Sequence, residues 1–358
     1  MFSVKRVGLL ACLFLIASSA AHAEPEYLGS EACANCHREM YASWADSGHR
    51  LQLQKANEAR QRGLAIPKGY SWEDISYVIG GFKTKAYFVN QDGYIITTTK
   101  DGQPTQTQYN FHDQTWTSYR PGERVPYDCA SCHTTGYSPE GHQEGRLGIE
   151  GTWWEDGIGC EECHGPGGDH VKDTARRYLR KIRSNVLCEQ CHQRGGIDQR
   201  PLKDVGLPLH HEQINELKSG VHKGLSCVNC HDPHKKASKT RNNCVICHSK
   251  AASNYEAGVH GQAGIQCIEC HMARIPKPAI DSASYIGNVR THLFRIEVVH
   301  QEDMFQAIEE KDRRSTFTKN FISVEFACLS CHTDRDHDWA FKNAANFHSG
   351  SPLGGQGR

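Results

Sequence analysis

Cysteine and histidine recur in this chain at one fixed spacing. Cys33, Cys36 and His37 form a C-x-x-C-H pentad. The pentad returns at Cys129/Cys132/His133, Cys160/Cys163/His164, Cys188/Cys191/His192, Cys227/Cys230/His231, Cys244/Cys247/His248, Cys267/Cys270/His271 and Cys328/Cys331/His332. Sixteen of the 17 cysteines are used, and only Cys12 is left over. In one helical turn, thiols at i and i+3 and an imidazole at i+4 face the same side. That arrangement suits attachment of c-type haem, in which each thiol adds across a vinyl group and the histidine coordinates the iron. Zinc ribbons and disulfide scaffolds also pair cysteines, but neither needs a histidine directly after every second one. The pattern reads as eight covalently bound haem c groups.

What occupies the sixth position on each iron decides the chemistry. A second histidine closes the centre for outer-sphere electron transfer, whereas an open position lets a small molecule bind and react. Of 22 histidines, thirteen remain once the eight pentad histidines and His22 near the N-terminus are set aside. That is more than eight closed centres require. The candidate distal ligands are His49, His142, His170, His211, His222, His234, His260, His292 and His348, with His112, His210, His300 and His337 as weaker alternatives. His234, three residues after His231, cannot reach over the same porphyrin, so as a ligand it serves a different haem.

Residues 1–23 read as a secretory signal: Lys5 and Arg6 form the charged region, Val7 to Ala17 the apolar stretch and Ala21-His22-Ala23 the cleavage site. Cys12 reads as a residue of that apolar stretch rather than a lipid anchor. No later segment approaches the roughly 20 apolar residues of a membrane span. These features place the mature protein in the periplasm, with an extracellular or outer-membrane-associated location as the variant. Hydrophobic residues make up 38% of the chain and the mean hydropathy is −0.62, lean for this length. Eight porphyrins would fill the interior instead, and without them the chain is not expected to fold. The formal charge of zero becomes about −2 after cleavage, and with all propionates ionised about −10 oxidised or −18 reduced. Nucleic acid is therefore excluded as a partner. Redox proteins, either other cytochromes or quinol-oxidising membrane complexes, are expected.

The elements must present these pentads. Ser30 starts a helix carrying the first pentad to about Ser47, and a second helix runs from about Leu51 to Arg62. Tyr77-Val-Ile, Lys85 to Val89, Tyr94 to Thr98 and Thr107 to Phe111 alternate as strands of a small antiparallel meander that shields one side of a haem. Further helices are expected at His170 to Arg183, His211 to Lys218 and Glu302 to Lys311, and a last one carries the eighth pentad to Asn343. The fold class is a mainly α multihaem cytochrome c whose core is eight stacked haems. After the signal, its segments are 24–125 (haem 1 and the meander), 126–200 (haems 2–4), 201–275 (haems 5–7), 276–348 (haem 8) and a disordered tail, 349–358.

Tyr27-Leu-Gly-Ser-Glu-Ala-Cys33-Ala-Asn-Cys36-His37, with Trp44 and Ser47-Gly-His49, resembles the first haem segment of the cytochrome c-554 type. Cys129 to Tyr137 and Gly157 to His170 resemble it too. The likeness covers about residues 27–49 and 127–192, and the haem arrangement of that family is shared with hydroxylamine oxidoreductase. It implies closely stacked parallel and perpendicular haem pairs, with His49 and His170 as axial ligands. Ser219 to His234 is similar to repeats of periplasmic decahaem conduits.

Three functions fit. The leading expectation is an electron carrier with all or nearly all haems closed by two histidines. The second is an octahaem oxidoreductase acting on nitrite, hydroxylamine or sulfur oxyanions at one five-coordinate haem. The third is a homo-oligomeric extracellular filament in which His348 ligates a neighbour's haem.

Overall fold

The computed structural model describes residues 26–111, 113–175, 185–193, 212–236, 244–275, 285, 287, 289–300, 303–310, 313–345 and 347–348. The signal, Cys12, His112, His210, His211 and the tail lie outside them.

The N-terminal third is built on a sheet. Strands β1 (Leu53–Lys55), β2 (Ile75–Gly80), β3 (Lys85–Asn90), β4 (Tyr94–Ile95), β5 (Gln108–Asn110), β6 (Thr115–Thr117) and β7 (Val125–Pro126) pair antiparallel in the order β1-β2-β3-β4-β7. β5 also lies on β3, and β6 lies on β5. This is larger than the expected meander, because short edge strands from flanking loops join it. Both faces of β2 and β3 are buried. Ile75, Val78, Ala86 and Phe88 pack with Ala59 and Ile96 on one face. On the other, Tyr77, Ile79 and Val89 pack with Val125, Tyr127, Ala130, Ile149 and Trp153. Burying one side chain of this kind stabilises the fold by about 1.5–3 kcal/mol. The second face matters most, because Ala130 and Cys129 of the second pentad lie in it.

The helices are short. The first pentad occupies α1 (Ser30–Ala34) and the turn after it, where His37 leaves helical geometry (φ −111°, ψ 44°) before α2 (Arg38–Ala45) begins. The expected continuous helix to Ser47 is therefore two helices broken at the haem-attachment turn. The expected helix over Leu51–Arg62 is instead β1 followed by α3 (Ala56–Gln61), because Leu53 pairs with Ile79 and is fully buried. Tertiary pairing overrides local propensity here. The second and third pentads sit on α4 (Ala130–His133) and α5 (Cys160–His164), linked by the two-stranded ladder β8 (Thr134–Thr135) with β9 (Glu155–Asp156). Then come α6 (Gly168–Lys172), α7 (Val186–Glu189) and α8 (Gln213–Ser219). The fifth pentad begins in a 3-10 turn, Cys227–Asn229. α9 (Cys244–Cys247), α10 (Ser249–Ala257), α11 (Val259–Gln262) and α12 (Cys267–His271) carry the sixth and seventh.

The C-terminal segment has its own core. β10 (Arg274–Ile275) pairs with β11 (Val289–Arg290), and β12 (Phe305–Glu310) with β13 (Arg313–Thr318). The helix expected over Glu302–Lys311 is thus a hairpin strand: Met304, Ala307 and Ile308 mimic a helical stripe, but six-residue pairing with a Thr- and Phe-containing partner fixes the strand. Ile275, Leu293, Met304, Phe321, Ile322 and Phe326 pack together. The eighth pentad begins within a π-helical turn, Glu325–Leu329, and α13 (His337–Ala344) is a separate helix capped by the Asp336 carboxylate. The single expected helix is interrupted at Cys331–Asp336. Among the described residues no helix is long and apolar enough to cross a membrane.

Candidate functional site

Among the described residues, seven of the eight pentad histidines face a second imidazole ring. Two imidazoles bound to one metal through nitrogens at about 2.0–2.1 Å put their ring centres roughly 6 Å apart. Seven pairs match this spacing. His37 faces His170 at 6.4 Å with planes 20° apart, and His164 faces His234 at 6.1 Å and 10°. His231 faces His292 at 6.0 Å and 34°, and His271 faces His348 at 5.8 Å and 20°. Three pairs are close to perpendicular: His49 with His192 (6.2 Å, 70°), His222 with His248 (5.9 Å, 75°) and His260 with His332 (5.8 Å, 71°). Every pair joins one pentad histidine to one outside the pentads.

The residues fit haem better than any smaller centre. Sixteen described cysteines are free thiols, as thioether formation requires. Among the described residues no three His, Cys, Asp or Glu side chains converge on a metal-sized point, so zinc has no cage. Burial lowers His49, His192, His222, His231, His260 and His348, which keeps these rings neutral and able to donate to a metal. The helices of the fourth, sixth and seventh pentads bury no side chain, and Val186, Ile246 and Val259 are exposed. A porphyrin is the apolar body that would cover such surface.

Neighbouring pentads touch through their thiols. The thiols of Cys33 and Cys160, of Cys132 and Cys191, and of Cys188 and Cys227 are hydrogen-bonded to one another. Cys163 lies near Cys191, Cys230 near Cys247, Cys244 near Cys267 and Cys270 near Cys331. The fourth pentad is the branch point, with contacts to the second, third and fifth.

Two features hold the N-terminal pentads in place. The buried Glu161 carboxylate accepts the backbone N–H groups of Leu28 (3.0 Å), Gly29 (2.8 Å) and Gly167 (2.7 Å), tying α5 to the chain start and to the turn before His170. The carbonyl of His49 accepts from Ile158 N–H at 2.9 Å, and Gly157 (φ 76°) allows this approach. A Cβ there would meet Arg50 O at 2.2 Å.

His133 differs from the other seven. Its Nδ1 donates to Gln52 O at 3.3 Å, burial pushes it down to about 4, and among the described residues no imidazole faces it. His142 is exposed, its Nδ1 donates to Ile149 O at 2.6 Å, and among the described residues it faces no pentad ring. His211 lies outside the described residues. His337 is bonded to Glu325 rather than to a pentad ring, and the N–H of His300 donates to Glu297.

The sheet supplies other groups beside His133. Alternation along β3 turns Lys85, Tyr87 and Val89 to the face that holds the second pentad. Lys85 lies close enough to Cys129 and His133 for its charge to be felt at both, and burial lowers it to about 8. Its ammonium stands 4.7 Å from the Tyr87 ring centre, and Tyr87 lies 4.5 Å from Tyr119. Burial raises both phenols, so they hold their protons at neutral pH. Lys83, two residues earlier, is depressed by burial and by Arg274 and Arg290. The strand alternation of Lys85 and Tyr87 was visible in the sequence; that it aims a cation and a phenol at one pentad was not.

The family model described as cytochrome c554 and c-prime matches residues 97–165. The dissimilatory sulfite reductase MccA of Wolinella succinogenes is 24% identical over 253 residues, covering 53% of this chain and 34% of the relative. The chain thus matches about a third of that relative's length. Among solved structures, the outer cell wall cytochrome OcwA is similar with a TM-score of 0.60 at 18% identity, covering 90% of this chain and 86% of that one. The octahaem sulfite reductase MccA of Wolinella succinogenes gives 0.61 at 19%, covering 85% and 65%. An undecahaem cytochrome from the S-layer of Carboxydothermus ferrireducens gives 0.52 at 18%, covering 89% and 59%. At these identities the structural likeness establishes the fold.

Proposed function

We propose that this chain is a multihaem cytochrome c of the superfamily that includes cytochrome c-554, that it moves electrons, and that it delivers them to one open haem where a small oxyanion is reduced. The reading assigns eight haem c groups to the eight pentads. Seven are closed by the pairs His37/His170, His164/His234, His192/His49, His231/His292, His248/His222, His271/His348 and His332/His260. The eighth, on Cys129/Cys132/His133, keeps an exchangeable position. The observation that carries this is the His133 ring, which alone among the pentad histidines has no imidazole opposite it among the described residues.

A bound haem supplies one-electron redox chemistry at an iron with a free coordination position. The chain supplies the rest. Lys85 offers a cation to hold an anion, and its lowered proton affinity makes it able to release a proton near neutral pH. Tyr87 and Tyr119 remain protonated and can relay protons as oxygen leaves. Sulfite and nitrite are the substrates to try, sulfite first in view of the relative. The carrier reading survives in the seven closed centres, whose thiol contacts describe a route from the eighth pentad to the fourth and on to the second. The filament reading loses its motive, because His348 faces His271 of its own chain. Extracytoplasmic placement, with other redox proteins as electron donors, accompanies this reading.

Carbon monoxide titration of the dithionite-reduced holoprotein tests it. One CO per chain is expected, together with one high-spin ferric signal and turnover of at least one of these substrates with reduced viologen. A protein that binds no CO and shows only low-spin haem would return the chain to a pure carrier.

A further inference from the structure

The four residues His231-Asp232-Pro233-His234 reach three axial pairs at once. His231 faces His292, and His234 faces His164. The carbonyl of Pro233 accepts from Nδ1 of His49 at 3.3 Å, and His49 faces His192. One tetrapeptide therefore joins the haems assigned to the third, fourth and fifth pentads.

Asp232 has a particular place in it. Its Oδ1 accepts from His234 Nδ1 at 3.1 Å and from the His234 backbone N–H at 3.1 Å, while Oδ2 is held by Lys235 Nζ at 2.9 Å. A histidine that binds a metal through Nε2 must carry its remaining proton on Nδ1, so this bond is a donation to a carboxylate. A carboxylate acceptor draws the proton away, makes the imidazole a stronger donor and favours the more highly charged metal. His292 also has a carboxylate nearby, the buried Glu216, but its Nδ1 stands 3.9 Å from Oε2, beyond hydrogen-bond distance; the other rings whose acceptors are seen have neutral ones. His49, His133 and His271 donate to backbone carbonyls and His192 to the Gln213 amide oxygen. The Nδ1 of His170 is buried with no hydrogen-bond partner.

We propose that Asp232 is a positioning residue that fixes the orientation of His234 and holds the third-pentad haem in its ferric state more firmly than its neighbours are held. The inference rests on the axial pairing proposed above. It gives the haem on the side branch toward the first pentad a low potential, which steers electrons at the fourth pentad toward the second instead.

The test is a spectropotentiometric titration of the holoprotein, followed by EPR, in Asp232→Asn. Asparagine keeps an oxygen acceptor and removes the charge. The midpoint potential of the His164/His234 centre should move upward and its g-spread should change. The His231/His292 centre, nearer still in sequence, should move less. Equal movement of both would reduce Asp232 to a through-space charge, and no movement of either would remove its role; both results overturn the proposal. His234→Ala identifies the signal, since it should convert that one centre to high spin. If it creates no high-spin haem, the pairing itself is wrong, a failure distinct from a silent Asp232→Asn.

Discussion

The imidazole of His348 lies 5.8 Å from that of His271, with the two planes 20° apart, although 77 residues separate them. The Nδ1 of His271 donates to Phe294 O at 2.8 Å, leaving Nε2 for the side that faces His348. His348→Ala should therefore open one haem within the monomer. We expect a second CO-binding site per chain and a second high-spin ferric signal, with the sedimentation behaviour of the protein unchanged. Loss of self-association together with unchanged haem spectra would instead put His348 on a neighbouring subunit's iron.

The ring angles divide the proposed closed centres into two spectroscopic classes. Nearly parallel imidazoles split the iron orbitals that mix with the ligands, whereas crossed ones leave them almost degenerate. EPR of the oxidised protein should show four rhombic low-spin centres, from the pairs at 10° to 34°. Three centres with a large leading g-value should accompany them, from the pairs at 70° to 75°. His49→Ala, His222→Ala and His260→Ala should each remove one of the latter. Seven signals of one type would contradict the geometry.

The candidate haem-attachment pentads are legible because the chemistry they imply is covalent and local: each is complete within five residues. The candidate distal ligands are legible only as a set. His49, His170, His222, His234, His260, His292 and His348 could be nominated from their settings, but which ring each one faces depends on packing. His49 lies 143 residues from His192, and no local pattern records that distance. His142 has the same kind of setting in sequence, yet among the described residues no pentad ring faces it, and its Nδ1 donates to Ile149 O. The misread helix at Glu302–Lys311 has the same cause, because a stripe of Met304, Ala307 and Ile308 satisfies a helical period until strand pairing decides otherwise. Lys85 and Tyr87 were assigned to a shielding strand, and only the sheet's second face revealed what they are turned toward.

Gly157 ties one distal ligand to the third pentad. Gly157→Ala places a methyl group 2.2 Å from Arg50 O at a φ of 76° and should cost roughly 2 kcal/mol or more. Because the displaced loop carries His49, the fourth haem should lose low-spin character before the protein unfolds. Thermal melts followed at the Soret band and by far-UV dichroism would separate the two events. Coincident transitions at the wild-type temperature would mean that the loop absorbs the methyl without strain.

Glu161 does similar work without touching a haem ligand directly. Glu161→Ala strands the N–H groups of Leu28, Gly29 and Gly167 away from their acceptor, each at about 1–3 kcal/mol if it stays buried. Destabilisation of about 3 kcal/mol or more is expected, with the His37/His170 centre the first to change, since Gly167 leads into α6 and His170. Glu161→Gln keeps one acceptor oxygen and should recover part of the loss. A denaturant titration showing less than about 1 kcal/mol for the alanine variant would mean that water replaces the carboxylate.

Lys85 gives the proposed open haem a pH signature. Burial lowers its ammonium to about 8, so it is charged below that value and neutral above it. If the ammonium holds the substrate anion and releases a proton to it, kcat/KM should be high below pH 8 and fall as pH rises through it. Lys85→Gln should remove that limb and cost roughly 10²-fold or more in kcat/KM. Lys85→Arg, which stays protonated, should keep anion binding and lose proton delivery, so KM changes little while kcat falls. Carbon monoxide, which is neutral and needs no proton, should bind the reduced haem of all three proteins alike. Equal losses for CO and for the anion would mean that Lys85 shapes the pocket rather than acting on what enters it.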